Sequence, residues 1–305
     1  MSLITRWIQL VRGQSRWTVI SIPYLWMLLF FAVPFLIVLK ISFAHKVVAI
    51  PPYTDLLEFV DQAVVMKLNL TNYFQLWADD KYWSAYLNSI QIAAVSTFLC
   101  LLIGYPMAYV IARLPSTTRN IALMAVILPS WISFLIRIYA WMGILQTNGL
   151  LNKFLLGIGL IDTPLRIMNT PTAAYIGIVY AYLPFMILPL YSNLVKLDFR
   201  LLEAAYDLGA RPWKAFLTIT LPLSRRGIVA GCMLVMIPAV GEYVIPELLG
   251  GPSTRMIGRQ LANEFFVAGD WPMASAVAIV MLLLLMIPIL IFNRMQAKEL
   301  EGRLA

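Results

Sequence analysis

The chain is 305 residues long, 61% hydrophobic and only 12% charged, with a mean hydropathy of +0.81. Water-soluble domains are typically about a quarter charged, so no solvent-facing surface can be built around this much apolar sequence, which excludes a soluble enzyme, a nucleic-acid-binding protein and a disordered chain. The surplus of 23 Lys and Arg over 15 Asp and Glu, net +8, predicts basic loops on the cytoplasmic side of a membrane.

A bilayer core about 30 Å thick needs roughly 20 mostly apolar residues per spanning helix. Residues 19–41, 88–111, 121–145, 173–195, 228–249 and 275–292 meet that requirement, so the expected fold is an all-α integral membrane protein with six transmembrane helices. The domain organisation is then a short N-terminal segment, 1–18, a six-helix domain, 19–293, and a tail, 294–305. The first stretch follows Arg6, Arg12 and Arg16 in the manner of a signal peptide. Its apolar run exceeds the roughly 7–15 residues of a signal h-region, and Ser42-Phe43-Ala44-His45 is a poor cleavage site, so it reads as an uncleaved first span.

Loop charges orient the spans, because Lys and Arg resist translocation. With the N-terminus inside, Arg6, Arg12, Arg16, Arg113, Arg119, Lys196, Arg200, Arg211, Lys214, Arg225, Arg226, Arg294, Lys298 and Arg303 all fall in cytoplasmic segments. The outer segments keep Lys40, Lys46, Lys67, Lys81, Lys153, Arg166, Arg255 and Arg259, so both termini are expected in the cytoplasm. Lys40 sits at a span edge, where its stem can snorkel. The outer loop 42–87 mixes apolar residues with Asp55, Glu58, Asp61, Asp79 and Asp80, and its Tyr73, Trp77, Tyr82 and Trp83 suit a membrane interface, which predicts a small ordered cap. His45 lies there with no function assigned. No fixed-period repeat or low-complexity tract occurs, and Cys100 and Cys232, both within apolar runs, support neither a disulfide framework nor a metal site.

The loop 196–226 carries the clearest pattern. At about 100° per residue, Leu197, Leu201, Ala204, Ala205 and Leu208 gather on one helical face, while Lys196, Arg200, Glu203 and Asp207 form a charged stripe on the other. Gly209 then suits a left-handed helix stop, Pro212 suits the first position of a second helix, and Pro222 is expected to break the chain before the fifth span. Amphipathicity alone is equally served by a helix lying on headgroups. The order Glu203-Ala204-Ala205, then Gly209, then Ile219, Leu221 and Pro222, however, resembles without departure the EAA loop of ABC-importer permeases, at the same place between spans four and five.

That resemblance extends to Pro129-Ser130-Trp131, Phe134 to Arg137, Tyr139 to Gly143, Gly241 to Gly251 and Asp270-Trp271-Pro272, which are similar to the polyamine (spermidine/putrescine) branch and most like its putrescine-uptake permeases. It implies the type I ABC-importer permease fold in a bacterial inner membrane and import of polyamine, putrescine first, from periplasm to cytoplasm. It also implies a second homologous permease, a cytosolic ABC ATPase dimer and a periplasmic polyamine-binding protein as partners. Glu203, Ala204, Ala205, Gly209 and Pro222 would then form the coupling element that docks on the ATPase. The chain has no Gly-x4-Gly-Lys-Ser/Thr phosphate loop, so ATP and Mg are expected in the partner ATPase and no cofactor in this chain.

Charges inside spans are costly and face a cavity or a partner. Arg137 in the third stretch and Glu242 in the fifth lie at similar distances from the expected inner boundaries, which predicts an Arg137–Glu242 ion pair, a Glu242 that meets cationic cargo, or contact with lipid headgroups. Trp141 and Tyr243, with Trp131, Tyr139, Tyr180 and Tyr182, can line a path by cation–π contact or serve as packing residues. Pro184 and Pro189 are expected to interrupt span four, Pro238 and Pro246 span five and Pro288 span six. The outer segments are mildly negative, a weak attraction for a cation in salt. Competing readings are a permease for another small solute, a stand-alone secondary transporter, which needs ion-coupling carboxylates near the midplane, and a membrane enzyme. One His, two Cys in apolar runs and no clustered carboxylates give the last no catalytic constellation.

Overall fold

The computed structural model describes residues 20–55, 57–60, 63–66, 68–198 and 200–304, so the expected N-terminal segment 1–18 lies outside the described residues. The chain divides into two compact units, Met1–Ala78 with Glu264–Val280 and Asp79–Asn263 with Met281–Ala305.

In the first unit, helix α1 (Ile20–Ser42) carries a membrane-compatible run most of whose apolar side chains, Tyr24, Trp26 and Phe31 among them, are exposed, with Ile41 buried at its end. A hairpin of β1 (Leu57–Val60) and β2 (Ala63–Met66) follows, in antiparallel register from Leu57 opposite Met66 to Val60 opposite Ala63. Helix α2 (Thr71–Ala78) follows the hairpin. Its buried Asn72 donates from Nδ2 to the carbonyls of Ser42 and Ala44 at 3.0 and 2.9 Å, and Tyr73 shares a 2.7 Å hydroxyl hydrogen bond with Ser42. Lys46 reaches the carbonyl of Ala268 at 2.9 Å and Asp270 at 3.7 Å. The expected cap is therefore ordered, and the hairpin makes the fold nearly all-helical rather than wholly so.

The second unit is built on three long helices: α3 (Asp80–Arg113), α7 (Pro171–Leu194) and α9 (Pro212–Val240). Their shared core holds Cys100, Tyr105, Ala108, Met186, Ile187, Leu190, Leu194 and Val235. Small residues set the helix spacing, as expected where lipid removes the hydrophobic drive and close backbone packing replaces it. A Cβ at Gly227 would stand 2.8 Å from the Cβ of Asn193 and 3.1 Å from the carbonyl oxygen of Pro189, so α9 approaches α7 only with hydrogen at that position. The hydroxyls of Tyr105 and Ser224 hydrogen-bond at 2.7 Å across the α3–α9 contact, satisfying both groups where water is absent.

Among the described residues, five helices are long and apolar enough to cross a membrane, six if a bent pair is one span. That pair is the third stretch, expected as one helix over 121–145. It is α4 (Ser116–Ile127), a 3-10 turn at Leu128–Trp131, an extended Ile132–Ser133 link and then α5 (Phe134–Leu145) with α6 (Leu150–Gly157), bent by 91°. Pro129 supplies the cause: its ring removes a donor where the α-helix tightens and stops.

The fifth span is also corrected. It ends at Val240 rather than reaching residue 249, and Gly241-Glu242-Tyr243 leads into a separate short helix, α10 (Val244–Leu248). Most prolines expected to interrupt helices do not: α7 is continuous through Pro184 and Pro189, α9 through Pro222 and Pro238, and the last helix, α12 (Trp271–Leu304), through Pro288 and on into the expected tail. Pro222 does not break the chain, for a reason seen twice. A five-residue π turn, Phe216–Thr220, directly precedes Leu221-Pro222, as another, Leu28–Ala32, precedes Val33-Pro34. The wider turn makes room ahead of the proline ring, so one missing bond does not end the helix.

Candidate functional site

The loop between α7 and α9 folds as a helix, a stop and a helix start. The Asp198 carboxylate accepts from the Arg200 backbone N–H at 3.0 Å and opens α8 (Arg200–Asp207). Glu203 lies in the first turn, where its charge suits the positive end of the helix dipole. The stop is a Schellman motif: Gly209 has φ +81°, its N–H donates to Tyr206 at 2.9 Å, and the Ala210 N–H donates to Ala205 at 2.9 Å. No atom lies within 4 Å of a Cβ built on Gly209, so backbone conformation alone demands glycine there. Pro212 occupies the first turn of the next helix, as expected from its missing donor.

The expected apolar face of α8 is not covered by the rest of the chain. Leu201 is 47% exposed and Leu208 89%, Ala204 is exposed, Ala205 is half-buried, and the leucine that anchors the helix is Leu202, outside that stripe. Glu203 and Asp207 are exposed beside it. The motif residues thus combine a fixed helix end with an uncovered apolar strip and adjacent carboxylates.

The second group centres on the break after α9. Glu242 is buried, 7% exposed, and its Oε1 accepts from the backbone N–H groups of Val244 at 3.0 Å and Ile245 at 3.3 Å, capping α10. Its Oε2 accepts from the hydroxyl of Tyr182 on α7. Tyr243 is 38% exposed at the helix start. The side chains of Ile245 and Leu249 press on Gly177 of α7, where an added Cβ would meet them at 2.8 and 2.7 Å. Nearby, Arg259 bridges to Glu247 at 2.5 Å and donates to the carbonyl of Gly251 at 2.7 Å.

The expected Arg137–Glu242 pair does not form in this structure. Arg137 lies 5.6 Å from the ring of Phe134, and its buried Nε has no hydrogen-bond partner among the described residues. Arg137 shares a groove lining with Tyr180, whereas Glu242 binds Tyr182. Residues two apart on a helix point about 200° apart, so the two charges address opposite sides of α7. Equal spacing from the span boundaries does not bring the two charges together, because each follows a break, at Leu128–Ser133 and at Gly241, beyond which rise per residue no longer measures depth. Trp141 meets Tyr180 edge-on, with ring centroids 5.3 Å apart. Tyr182 as the carboxylate's partner was missed: an aromatic residue in an apolar helix carries no sequence signal for a distant acid.

Comparison with known proteins agrees with this architecture. Residues 100–301 match the family described as binding-protein-dependent transport system inner membrane component. The spermidine/putrescine transport system permease protein PotB of Escherichia coli (strain K12) is 40% identical over 279 residues, covering 90% of this chain and 97% of that protein. PotB of Haemophilus influenzae is 37% identical, covering 94% and 96%. In fold, the chain is similar to a bacterial alginate ABC transporter solved in complex with an alginate pentasaccharide-bound periplasmic protein, with a TM-score of 0.71 at 18% identity, covering 96% of this chain and 97% of that one. A broken third span, a helix-stop-helix loop with an uncovered face, and relatives that align along almost their whole length converge on one assignment: the chain belongs to the binding-protein-dependent inner-membrane components and is a permease subunit of an ABC importer, a transport protein whose ATPase is a separate subunit.

Proposed function

We propose that this permease imports a small organic polycation, putrescine or spermidine with putrescine first, from periplasm to cytoplasm. The observation that carries the reading is the similarity to PotB along nearly the whole of both chains, since the name of that relative is a spermidine/putrescine permease. Both termini and the loop 196–226 then lie in the cytoplasm, in keeping with the basic residues they carry. The exposed strip of Leu201, Ala204 and Leu208, with Glu203 beside it, docks in a cleft of the ATPase, and the Schellman stop at Gly209 holds the docking helix at a fixed angle to α9. ATP and Mg are bound by that ATPase, while a periplasmic polyamine-binding protein delivers cargo to the outer face. A second homologous permease completes the membrane pathway.

Cargo passes Tyr243 and Trp141, whose aromatic faces attract ammonium groups without trapping them. Glu242 has three of its roughly four acceptor sites taken, so it shapes the path chiefly by capping α10 beneath Tyr243 and leaves one site for a passing ammonium. The test is uptake by the reconstituted complex with its binding protein. ATP-dependent accumulation of labelled putrescine, competed by spermidine and indifferent to sulfate, is expected. ATP-dependent uptake of another solute with no polyamine transport would overturn the cargo and leave the importer assignment standing.

A further inference from the structure

Arg137 is a cation in an apolar setting with no anion among the described residues. It is the sole charged lining residue of a cavity of about 670 Å³, walled by Val110 and Ile111 of α3, Ala125 and Val126 of α4 and Leu183 and Ile187 of α7. Its Nε is buried and unbonded, and its nearest aromatic contact is the ring of Phe134. Arg137 is half-buried, and a guanidinium with a buried, unpartnered Nε in an apolar groove is costly. The chain cannot supply the missing charge from Glu242, whose carboxylate is held by Tyr182 and the start of α10.

We propose that a helix of the second permease subunit fills this groove and places an Asp or Glu carboxylate on Arg137. Position argues against a lipid headgroup. Tyr180, which lines the groove with Arg137, is nine residues into the 24-residue α7, roughly 14 Å from one end and 21 Å from the other. A headgroup would have to reach about 14 Å inward from the nearer helix end to meet the level of Tyr180. Chemistry argues against cargo, because a fixed positive charge repels a polyamine. The apolar walls and the exposed rim of Ile121, Met124 and Leu128 suit a packed helix, and the planar fork of a guanidinium suits a carboxylate. Neutralised there, Arg137 ties the subunits together and is removed as a barrier to the passing cation. The inference rests on the pairing of two permeases and on the polycationic cargo proposed above, while its readout, assembly, is measured without cargo.

The experiment uses the full complex with the affinity tag on the second permease. Arg137→Met is expected to weaken the association about a hundred-fold, the scale of losing one member of a desolvated charge pair, and so to cut recovery of this chain, with Arg137→Lys intermediate. A photo-crosslinking residue at Val126 should capture the second permease. Arg137→Glu should be rescued when one intramembrane carboxylate of the second permease is changed to Arg, an outcome that a merely misfolded variant cannot give. Wild-type recovery with Arg137→Met, crosslinks at Val126 to phospholipid alone, or failure of every carboxylate exchange to rescue Arg137→Glu would each overturn the pairing. None of these outcomes depends on polyamine uptake, so the cargo assignment stands or falls separately.

Discussion

The hydroxyl of Tyr182 donates to Oε2 of Glu242, so the fourth span holds the carboxylate that caps the short helix beyond the fifth. Two elements far apart in sequence are thereby locked through one side chain at the point where α9 stops.

Breaking this lock should be graded. Tyr182→Phe leaves a buried carboxylate oxygen without its donor, a loss of about 1–3 kcal/mol, whereas Glu242→Gln keeps one oxygen to cap α10. Thermal unfolding of the purified complex should therefore show Tyr182→Phe less stable than Glu242→Gln. Glu242→Lys, which puts a cation near the path and removes the cap, should abolish putrescine uptake with normal expression. Full uptake by Glu242→Lys would show that the cap is dispensable.

Gly209 is required for its left-handed φ of +81° and for nothing steric. Gly209→Ala should cost about 1–2 kcal/mol and Gly209→Asn clearly less, because Asn tolerates this conformation. The measurement is stimulation of ATP hydrolysis by loaded binding protein, expected to fall in the order Gly, Asn, Ala, with Gly209→Pro uncoupled. Equal coupling in all four would remove the helix stop from the mechanism.

Leu208, at 89% exposure, lies on the uncovered strip of α8. Leu208→Glu should leave membrane insertion and the second permease unaffected while reducing ATPase co-purification several-fold, and Glu203→Lys should reduce it similarly. Wild-type recovery of the ATPase in both variants would assign this strip to the membrane surface.

Gly227 sets the approach of α9 to α7. Gly227→Ala places a methyl 2.8 Å from the Cβ of Asn193 and 3.1 Å from the Pro189 carbonyl, backbone that cannot swing away. A destabilisation of about 1–3 kcal/mol is expected, read as a lower melting temperature of the purified subunit. An unchanged melting temperature would show that the two helices slide apart freely.

Composition and periodicity determined that the chain is a multispan membrane protein, where the first and fourth spans begin and end, and that 196–226 holds an amphipathic helix closed at Gly209. These properties are local. Hydropathy is summed along the chain, and a helix stop depends on a few consecutive residues. The residue order of the motif also carried the family, because that signal lies in the sequence itself. Tertiary structure alone decided which prolines matter. Pro129 ends a helix while Pro222 follows a π turn and is absorbed, a difference that depends on neighbouring helices as well as on the ring. It alone decided that Arg137 and Glu242 part company. Their spacing from the span boundaries matched, but two breaks and the opposite sides of α7 separate them, and a side chain's direction is set by the packing of residues distant in sequence. The partner of Glu242 proved to be a tyrosine for the same reason: which donor reaches a buried acid is settled by which helices meet.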